Sequence, residues 1–180
     1  MRCASKSAAF WACCFKRRLA SSSALAYASN MQTAVQIRFL HPEMGRTIPA
    51  PSLMTEQSAG FDLSACVDDA VTLQPGERHL VPCGFAMALP AGWEAQVRPR
   101  SGLALKHGVT CLNSPGTIDA DYRGQVHALL VNLGGEPFTI LPGMRVAQMV
   151  IAPLAQLQLV TVDELSETAR GEGGFGSTGA

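Results

Sequence analysis

The sequence predicts an all-β domain, arranged as a sandwich or barrel, with one short helix. Two observations carry this prediction. From residue 35 onward, short runs are β-rich or alternate between apolar and polar residues with a period of two, which is typical of strands with one buried face. Turn signals that contain Pro and Gly separate these runs, for example at residues 74–77, 89–92 and 141–144.

Six runs are predicted as strands. The first, VQIRF at residues 35–39, places its apolar side chains on one face. The others, in chain order, are residues 85–89, 93–97, 125–131, 145–151 and 157–160. Between the third and fourth strands lies the one predicted helix, residues 101–106, where Ser101 can cap the first turn and Gly108 can end the last. A lone helical turn in a β protein indicates a binding site, because its N-terminus offers free backbone amides.

Length and charge limit the classes of protein that the chain can represent. Its 180 residues, of which 47% are apolar, suit a single domain with one core. Residues 1–30 hold five Lys or Arg and no acid, whereas residues 31–180 hold nine Lys or Arg against fourteen acids. The body is therefore acidic, and we expect no nucleic-acid partner. The apolar run at residues 8–15 is too short to span a bilayer, so we expect no membrane partner either.

Three parts are expected along the chain: an unstructured extension (1–30), a β domain (31–165) and a flexible Gly-rich arm (166–180). The extension is basic and rich in Ser and Ala, which is typical of a transit peptide, but Met31 could instead be the true start. We expect a cytoplasmic protein, with a mitochondrial or nuclear location as the alternative if the extension is a genuine presequence. The six cysteines form no CxxC pair, so a zinc site is not expected, and we expect Cys66, Cys83 and Cys111 to be small core residues in a reducing compartment.

Three segments carry groups suited to chemistry. Residues 98–103 (RPRSGL) combine guanidinium groups, a hydroxyl and a helix N-terminus, which suits a phosphate, although a plain surface helix cap would look similar. Residues 116–124 (GTIDADYRG) place two acids and an aromatic ring between glycines, either as a general base beside a stacking ring or as a solvated turn. Residues 170–180 hold Arg170, five glycines and Phe175, which fit an anion clamp or a disordered end.

Taken together and in this order, these segments resemble the five motifs of the trimeric dUTPase family. The first motif is residues 59–65 (AGFDLSA) and the second 98–104 (RPRSGLA). The third is 116–124, the fourth 143–149 (GMRVAQM) and the fifth 170–179 (RGEGGFGSTG). The resemblance covers residues 33–180 and leaves residues 1–30 without a counterpart.

The resemblance implies a distorted jelly-roll β-sandwich that assembles as a homotrimer with three shared active sites. Motifs one, two and four of one subunit would combine with motif three of a second and motif five of a third. The implied activity is dUTP diphosphatase: dUTP is hydrolysed to dUMP and pyrophosphate with Mg²⁺. That reaction would limit uracil incorporation into DNA and supply dUMP for dTMP synthesis.

The resemblance also implies roles for individual residues. Asp119 is the expected general base that activates water for in-line attack on the α-phosphorus. Asp62 is expected to anchor Mg²⁺ through water. Charge-assisted contacts to the triphosphate are expected from Arg100, Ser101, the backbone amide of Gly102, Gln148, Arg170 and Ser177.

For the nucleoside, residues 108–119 resemble the family's β-hairpin, which pairs with uracil through backbone groups and the Asn113 amide. A site built for uracil leaves polar groups unpaired against cytosine. Tyr122 would pack under the deoxyribose and exclude a 2′-hydroxyl, while Phe175 would cover the base. The remaining expected contacts are Thr117, Ile118 and Gly176.

His127 departs from the family pattern, because many relatives carry lysine or methionine there, and we expect at most a backbone contact from it. Two other interpretations stay open. A dCTP deaminase has a related fold but would lack the Phe-containing fifth motif. A catalytically silent β-sandwich could bind deoxyuridine nucleotides without hydrolysing them.

Overall fold

The computed structural model describes residues 34–174, and the predicted members of the tail, Phe175, Gly176 and Ser177, lie outside that range. All the strands belong to one compact unit that starts at Val35. In chain order they are β1 (Gln36–Phe39), β2 (Ser52–Leu53), β3 (Phe61–Ser64), β4 (Val71–Leu73), β5 (Arg78–Ala88), β6 (Trp93–Arg98), β7 (Val109–Cys111), β8 (Gly116–Ile118), β9 (Gln125–Asn132), β10 (Phe138–Ile140) and β11 (Arg145–Pro153), with helix α1 (Ser101–His107) between β6 and β7.

The strands form the predicted jelly-roll β-sandwich. A four-stranded sheet has the order β1-β5-β9-β7, a five-stranded sheet has the order β2-β3-β11-β6-β8, and β10 pairs with β4. Every pair of named strands is antiparallel. Most neighbours in a sheet are far apart in sequence, so the chain crosses repeatedly between the two sheets, as in Greek-key topologies.

Alternation along the strands builds the core. On β9, Val126, Ala128 and Leu130 are buried, whereas Gln125, His127 and Leu129 are only partly buried and face outward. The largest fully buried side chains include Phe85 and Leu63, which come from opposite sheets. The period of two in the sequence therefore marks the inward face correctly.

Helix α1 confirms the predicted position of the helix but not its cap. Arg100, in an extended conformation, is the N-cap residue, no side chain caps the first turn, and Ser101 is the first helical residue. The N-cap was therefore predicted one position too late, because the backbone turns into the helix at Arg100. Gly108 ends the helix as predicted, with a φ of 67°.

A buried asparagine fixes the turn on which the end of α1 rests. Asn132 is 0% exposed, and its Nδ2 donates to the carbonyls of Leu73 (3.0 Å) and Glu136 (2.8 Å). The amide of Gly134 donates to Asn132 Oδ1 at 2.9 Å. Leu133 in the same turn donates its amide to the carbonyl of Gly108, so this network ties the helix end to β9.

Two predictions about strands are wrong. Residues 157–160 form no strand, because the segment from 154 to 170 is exposed and finds no partner strand among residues 34–174. Residues 108–119 are not a paired hairpin: β7 pairs with β9, whereas β8 pairs with β6 in the other sheet. The reason is that Val109 and Cys111 are buried against one sheet and Ile118 against the other, so the chain crosses between them.

Over residues 34–174, the structure contains no helix that is both long and apolar enough to cross a membrane.

Candidate active site

A cavity of about 330 Å³ lies beside β8, which is within the size range of small-molecule sites. One wall comes from β8 and the segments on either side of it, and another comes from side chains of β5 and β9. The lining residues are Leu80, Val97, Asn113, Gly116, Thr117, Ile118, Asp119, Tyr122, Gln125, Val126, His127 and Leu129. Five of the residues predicted to bind substrate or catalyse therefore share one cavity: Asn113, Thr117, Ile118, Asp119 and Tyr122.

The turn after β8 fixes the acid and the ring relative to each other. The amide of Tyr122 donates to the carbonyl of Asp119 at 3.2 Å, and Tyr122 Oη donates to the carbonyl of Gln125 at 2.9 Å. Arg123 Nη1 donates to the carbonyls of Ala120 (2.7 Å) and Tyr122 (2.8 Å), which clamps the turn from outside. The Asp119 side chain is exposed at the rim of the cavity, where an ionised carboxylate can accept a proton from water.

His127 lines the same cavity from β9. Its Nδ1 lies 2.9 Å from the carbonyl oxygen of Gln125, the carbonyl that also accepts from Tyr122. The apolar wall of Leu80 and Leu129 has no signal in the sequence, since each is typical of an ordinary strand residue. Only the pairing of β5 with β9, which aligns these two leucines, places them together.

A second cluster of polar residues lies on one face of the five-stranded sheet. Asp62 on β3 is directly opposite Gln148 on β11, and Arg145 is opposite Ser64, two residues along from Asp62. Residues three apart on a regular strand point to opposite faces. The bulge between Arg145 and Ala147 removes that mismatch, so Arg145 and Gln148 both lie on the face of Asp62.

The contacts within this cluster are close and charge-assisted. Arg145 Nη1 donates to Asp62 Oδ2 at 2.8 Å, and Arg100 Nε lies 3.5 Å from Asp62 Oδ1. Arg100 Nη1 also donates to the backbone carbonyl of Arg145 at 2.9 Å. Two guanidinium groups around one carboxylate leave a net charge of +1, which suits a polyphosphate anion. Arg145 had been assigned no role from the sequence.

Three residues predicted to bind phosphate adjoin this cluster: Gln148 is partly buried, and Ser101 and Gly102 are exposed. Gln148 Nε2 donates to the carbonyl of Pro99 at 2.9 Å, so it contacts the residue before Arg100. Ser101 and Gly102 follow at once and are exposed in the first turn of α1. The structure thus brings Asp62, Arg100 and Gln148 together, with Ser101 and Gly102 adjoining them in the chain.

The two groups of residues occupy the same sheet but not the same cavity. The strand order β3-β11-β6-β8 puts two strands between Asp62 and the wall of the cavity. Since neighbouring strands lie about 4.8 Å apart, Asp62 and β8 are separated by about 14 Å in one chain. Arg170 belongs to neither group, because its Nε donates to the carbonyl of Gly173 in its own exposed turn.

The donor set at Asp62 limits what kind of metal the site could hold. No three His, Cys, Asp or Glu side chains between residues 34 and 174 are grouped as metal ligands. The Asp62 side chain is 13% exposed, and both of its oxygens already face guanidinium groups. These residues therefore fit a cation held mainly by a ligand's own phosphates and by water, which is the habit of Mg²⁺.

The three described cysteines are buried free thiols in the core, as predicted. Burial raises the pKa of the Cys83 thiol to about 12 and that of Cys111 to about 11. Burial, followed by the charge of Asp68, also raises the pKa of Cys66. Neutral thiols are poor nucleophiles, so these residues contribute packing rather than chemistry.

The sequence is similar to a large set of known proteins. The sequence profile of the dUTPase family matches residues 46–179. A deoxyuridine 5′-triphosphate nucleotidohydrolase of Rhizobium rhizogenes is 57% identical over 145 residues, which are 79% of this chain and 91% of that protein. The protein of the same name from Rhizobium etli is 60% identical over 137 residues, which are 75% and 88% of the two chains.

Solved structures with the same fold include a staphylococcal phage protein. The dUTPase of bacteriophage 80alpha, solved with dUpNHpp, has a TM-score of 0.72 and 25% identity. The match covers 82% of this chain and 99% of the phage chain. The match to the dUTPase family profile includes both the cavity and the Asp62 cluster, since the residues of both lie within 46–179.

Proposed function

The chain belongs to the dUTPase family, and we propose that it is a dUTP diphosphatase, which hydrolyses dUTP to dUMP and pyrophosphate. The observation that carries the assignment of the site is the cavity beside β8, where Asp119, Asn113 and Tyr122 meet. It combines an acid, an amide and an aromatic ring in a volume suited to a nucleoside. The positive Asp62 cluster on the same sheet offers a place for phosphates.

Asp119 is the proposed general base. Its exposed carboxylate takes a proton from water as the water oxygen attacks the α-phosphorus, and pyrophosphate leaves on the opposite side. The bond between the α-phosphorus and the bridging oxygen breaks as the new phosphorus–oxygen bond forms. The hydrogen bond from the Tyr122 amide to the Asp119 carbonyl supports this role, because it fixes the backbone from which the carboxylate extends.

The triphosphate is the proposed ligand of the second cluster. Arg100 supplies a permanent charge, Ser101 a hydroxyl, and Gly102 a backbone amide in the first turn of α1. The Gln148 amide completes this set from β11. Arg170 and Ser177 of the C-terminal arm are proposed to close over the phosphates, where their donors would stabilise the charge of the transition state.

The nucleoside is the proposed ligand of the cavity. Asn113, Thr117 and Ile118 line it, and the Asn113 side chain with backbone groups of the other two is proposed to pair with the uracil edge. The ring of Tyr122, which lines the cavity, is proposed to pack under the deoxyribose, where a 2′-hydroxyl would meet it. Phe175, with the backbone of Gly176, is proposed to cover the base from the arm.

Magnesium is the proposed cofactor, bound together with the nucleotide. Asp62 would hold it through water, as the paired carboxylate has few free positions for a direct bond. When bound, the cation neutralises phosphate charge and helps to fix the triphosphate for in-line attack. Arg145 orients Asp62 for this contact.

The proposed assembly is a homotrimer with shared sites. Two features of the single chain support it. The Asp62 cluster and the cavity are about 14 Å apart across the sheet of one chain. In a site shared between subunits, the cavity of one subunit can instead combine with the Asp62 cluster of another. The segment after β11 is extended, and its Leu157 and Leu159 are 85% and 98% exposed, as expected of a segment that packs on another subunit.

The proposed organisation of the chain keeps three parts: the extension 1–30, the domain 31–165 and the arm 166–180. The proposed compartment is the cytoplasm. Free buried thiols at Cys66, Cys83 and Cys111 and the bacterial origin of the relatives support this assignment.

Asp119→Asn tests the catalytic assignment. Turnover of dUTP should fall by at least about 100-fold, because the amide cannot take the proton from water, while a non-hydrolysable dUTP analogue should still bind. Asp121→Asn is the matched control, since Asp121 is an exposed acid in the same turn and does not line the cavity. An unchanged rate, or loss of analogue binding, would remove Asp119 from this role.

A further inference from the structure

Two glycines flank the segment that carries Asp119 and Tyr122: Gly116 at its start and Gly124 at its end. Neither has the positive φ that makes glycine necessary elsewhere in this chain, for example at Gly108 or Gly143. Their backbone conformations would therefore accept an L side chain. The reason for a glycine at these two positions must lie in the space around them.

The space beside Gly124 is filled by the ring of Tyr122. A Cβ at position 124 would lie 2.6 Å from Tyr122 Cζ and 2.9 Å from Cε2, and it would come still closer to the hydroxyl oxygen. Ordinary carbon contacts are 3.4 Å or more. The hydroxyl meanwhile donates to the carbonyl of Gln125. The ring therefore packs against Gly124, where there is no side chain, while its hydroxyl is fixed by that carbonyl.

The space beside Gly116 is filled by the amide of Asn113. A Cβ at position 116 would lie 2.8 Å from Asn113 Nδ2 and 3.4 Å from its Cγ. Both residues line the cavity. The amide therefore occupies the position that any side chain at 116 would need, and its direction depends on the absence of one.

We propose that Gly116 and Gly124 are specificity-determining positioning residues, each of which provides the space for one recognition side chain. Gly116 sets the Asn113 amide for choice of the base, and Gly124 sets the Tyr122 ring for choice of the sugar. The inference rests on the proposed function, which supplies the substrate. Neither glycine touches the reacting atoms, so both act through their neighbours.

The physical expectation is a change in selectivity with little change in stability. Asn113 and Tyr122 are both exposed, Tyr122 to 43%, and the atoms that would clash are the outer parts of their side chains. They can move into solvent at small cost, by about 1 Å or less to relieve the contact. A displacement of that size at a site can cost up to about 100-fold in rate.

The test compares Gly116→Ala and Gly124→Ala with Gly135→Ala. Gly135 also lacks a positive φ and has nothing within 4 Å of its added Cβ, which makes it the matched control. For each variant, kcat/KM is measured for dUTP, UTP and dCTP, and Tm is recorded. Gly124→Ala should lower the dUTP to UTP ratio by at least about tenfold and keep the dUTP to dCTP ratio within about twofold. Gly116→Ala should lower the dUTP to dCTP ratio by at least about tenfold and keep the dUTP to UTP ratio within about twofold.

A double-mutant cycle provides the second readout. Tyr122→Phe removes both the hydroxyl that is closest to position 124 and its bond to Gln125, so it should also lower the dUTP to UTP ratio. In the Gly124→Ala background the same change should add little, because one ring displacement underlies both effects. Additive losses would contradict the inference, and this cycle applies even if Gly116→Ala does not fold.

The outcomes distinguish failure of the positioning role of the two glycines from failure of the proposed function. If the wild type releases pyrophosphate from dUTP selectively but folded Gly116→Ala and Gly124→Ala keep both ratios, the positioning role is overturned. Equal loss of both ratios in both variants also contradicts it, since that pattern indicates general loosening of the segment. No pyrophosphate from dUTP with the wild type overturns the proposed function and, with it, the substrate roles of both glycines.

Discussion

Arg145→Met should weaken both the stability of the domain and its use of Mg²⁺. The substitution keeps the volume of the side-chain stem and the backbone carbonyl that Arg100 contacts, but it removes the 2.8 Å bond to Asp62. Asp62 is then left with only the 3.5 Å pair to Arg100. Its side chain is 13% exposed, so water replaces the lost donor poorly.

The magnitude follows from the exposure of the two partners. A hydrogen bond to a charged group is worth about 1.5–3 kcal/mol, whereas a fully exposed ion pair is worth about 0–1 kcal/mol. The Arg145 side chain is 44% exposed, whereas that of Asp62 is 13% exposed. This bond therefore lies between the two cases, and we expect its removal to lower the free energy of unfolding by about 2 kcal/mol. If Asp62 needs the same bond to face the metal, kcat/KM should fall by about 30-fold, since about 1.4 kcal/mol corresponds to a factor of ten.

Urea unfolding and a titration of activity against Mg²⁺ measure the two effects. Half-maximal activity should require more Mg²⁺ in Arg145→Met, and Arg145→Lys should recover part of the stability. Arg38→Met is the control, because Arg38 is an exposed strand arginine and makes no side-chain hydrogen bond or ion pair with residues 34–174. An Arg145→Met protein that matches the control in stability and Mg²⁺ dependence would refute the reasoning.

Three other predictions concern the rest of the molecule. Asn132→Leu should lower the free energy of unfolding by about 3 kcal/mol in urea, because one buried and two partly buried backbone groups lose their partner; an effect under 1 kcal/mol would contradict this. Stability should fall from pH 9 upward in denaturant titrations, since the pKa of Cys83 rises from 9.0 unfolded to about 12 folded and the unfolded chain releases its proton first; the decline should shrink in Cys83→Ala. Leu157→Asp with Leu159→Asp should raise the trimer dissociation constant at least about tenfold in sedimentation, because each leucine is exposed in the single chain and loses about 1.5–3 kcal/mol of burial on a neighbour; an unchanged constant would show that these two leucines pack on no other subunit.

The strands that the sequence predicted are those in which apolar and polar residues alternate within the strand itself. The first strand, predicted at 35–39, is β1, and the runs at 93–97, 125–131 and 145–151 are β6, β9 and β11 with small changes at their ends. Each is long enough for alternation to be visible. The alternation pattern does not show the three-residue strands β7 and β8, and the hairpin expected there has the wrong pairing, because pairing with β9 and β6 defines these strands rather than their composition.

Pairing also explains what was missed in the site. Asp119 and Tyr122 belong to the third motif, and Asn113 belongs to the adjoining segment 108–119, so their closeness in sequence is consistent with their common cavity. Arg145 and Gln148 are three apart, a spacing that puts strand residues on opposite faces, and only the bulge brings both to Asp62. The extended segment around Leu159 failed as a strand prediction because the strand pattern is present but a partner strand is absent from the described chain.

The central claim, that this chain is a dUTP diphosphatase with selectivity for base and sugar, is tested most directly by one parallel assay. Pyrophosphate release is followed with Mg²⁺ from dUTP, dCTP, dTTP and UTP, and ammonia is followed in the same reactions. A dUTP diphosphatase with this selectivity should release pyrophosphate from dUTP, at most a small fraction of that rate from the others, and no ammonia. Ammonia from dCTP would assign the chain to the deaminase branch of the fold, and binding of dUTP without any product would make it a silent binding module.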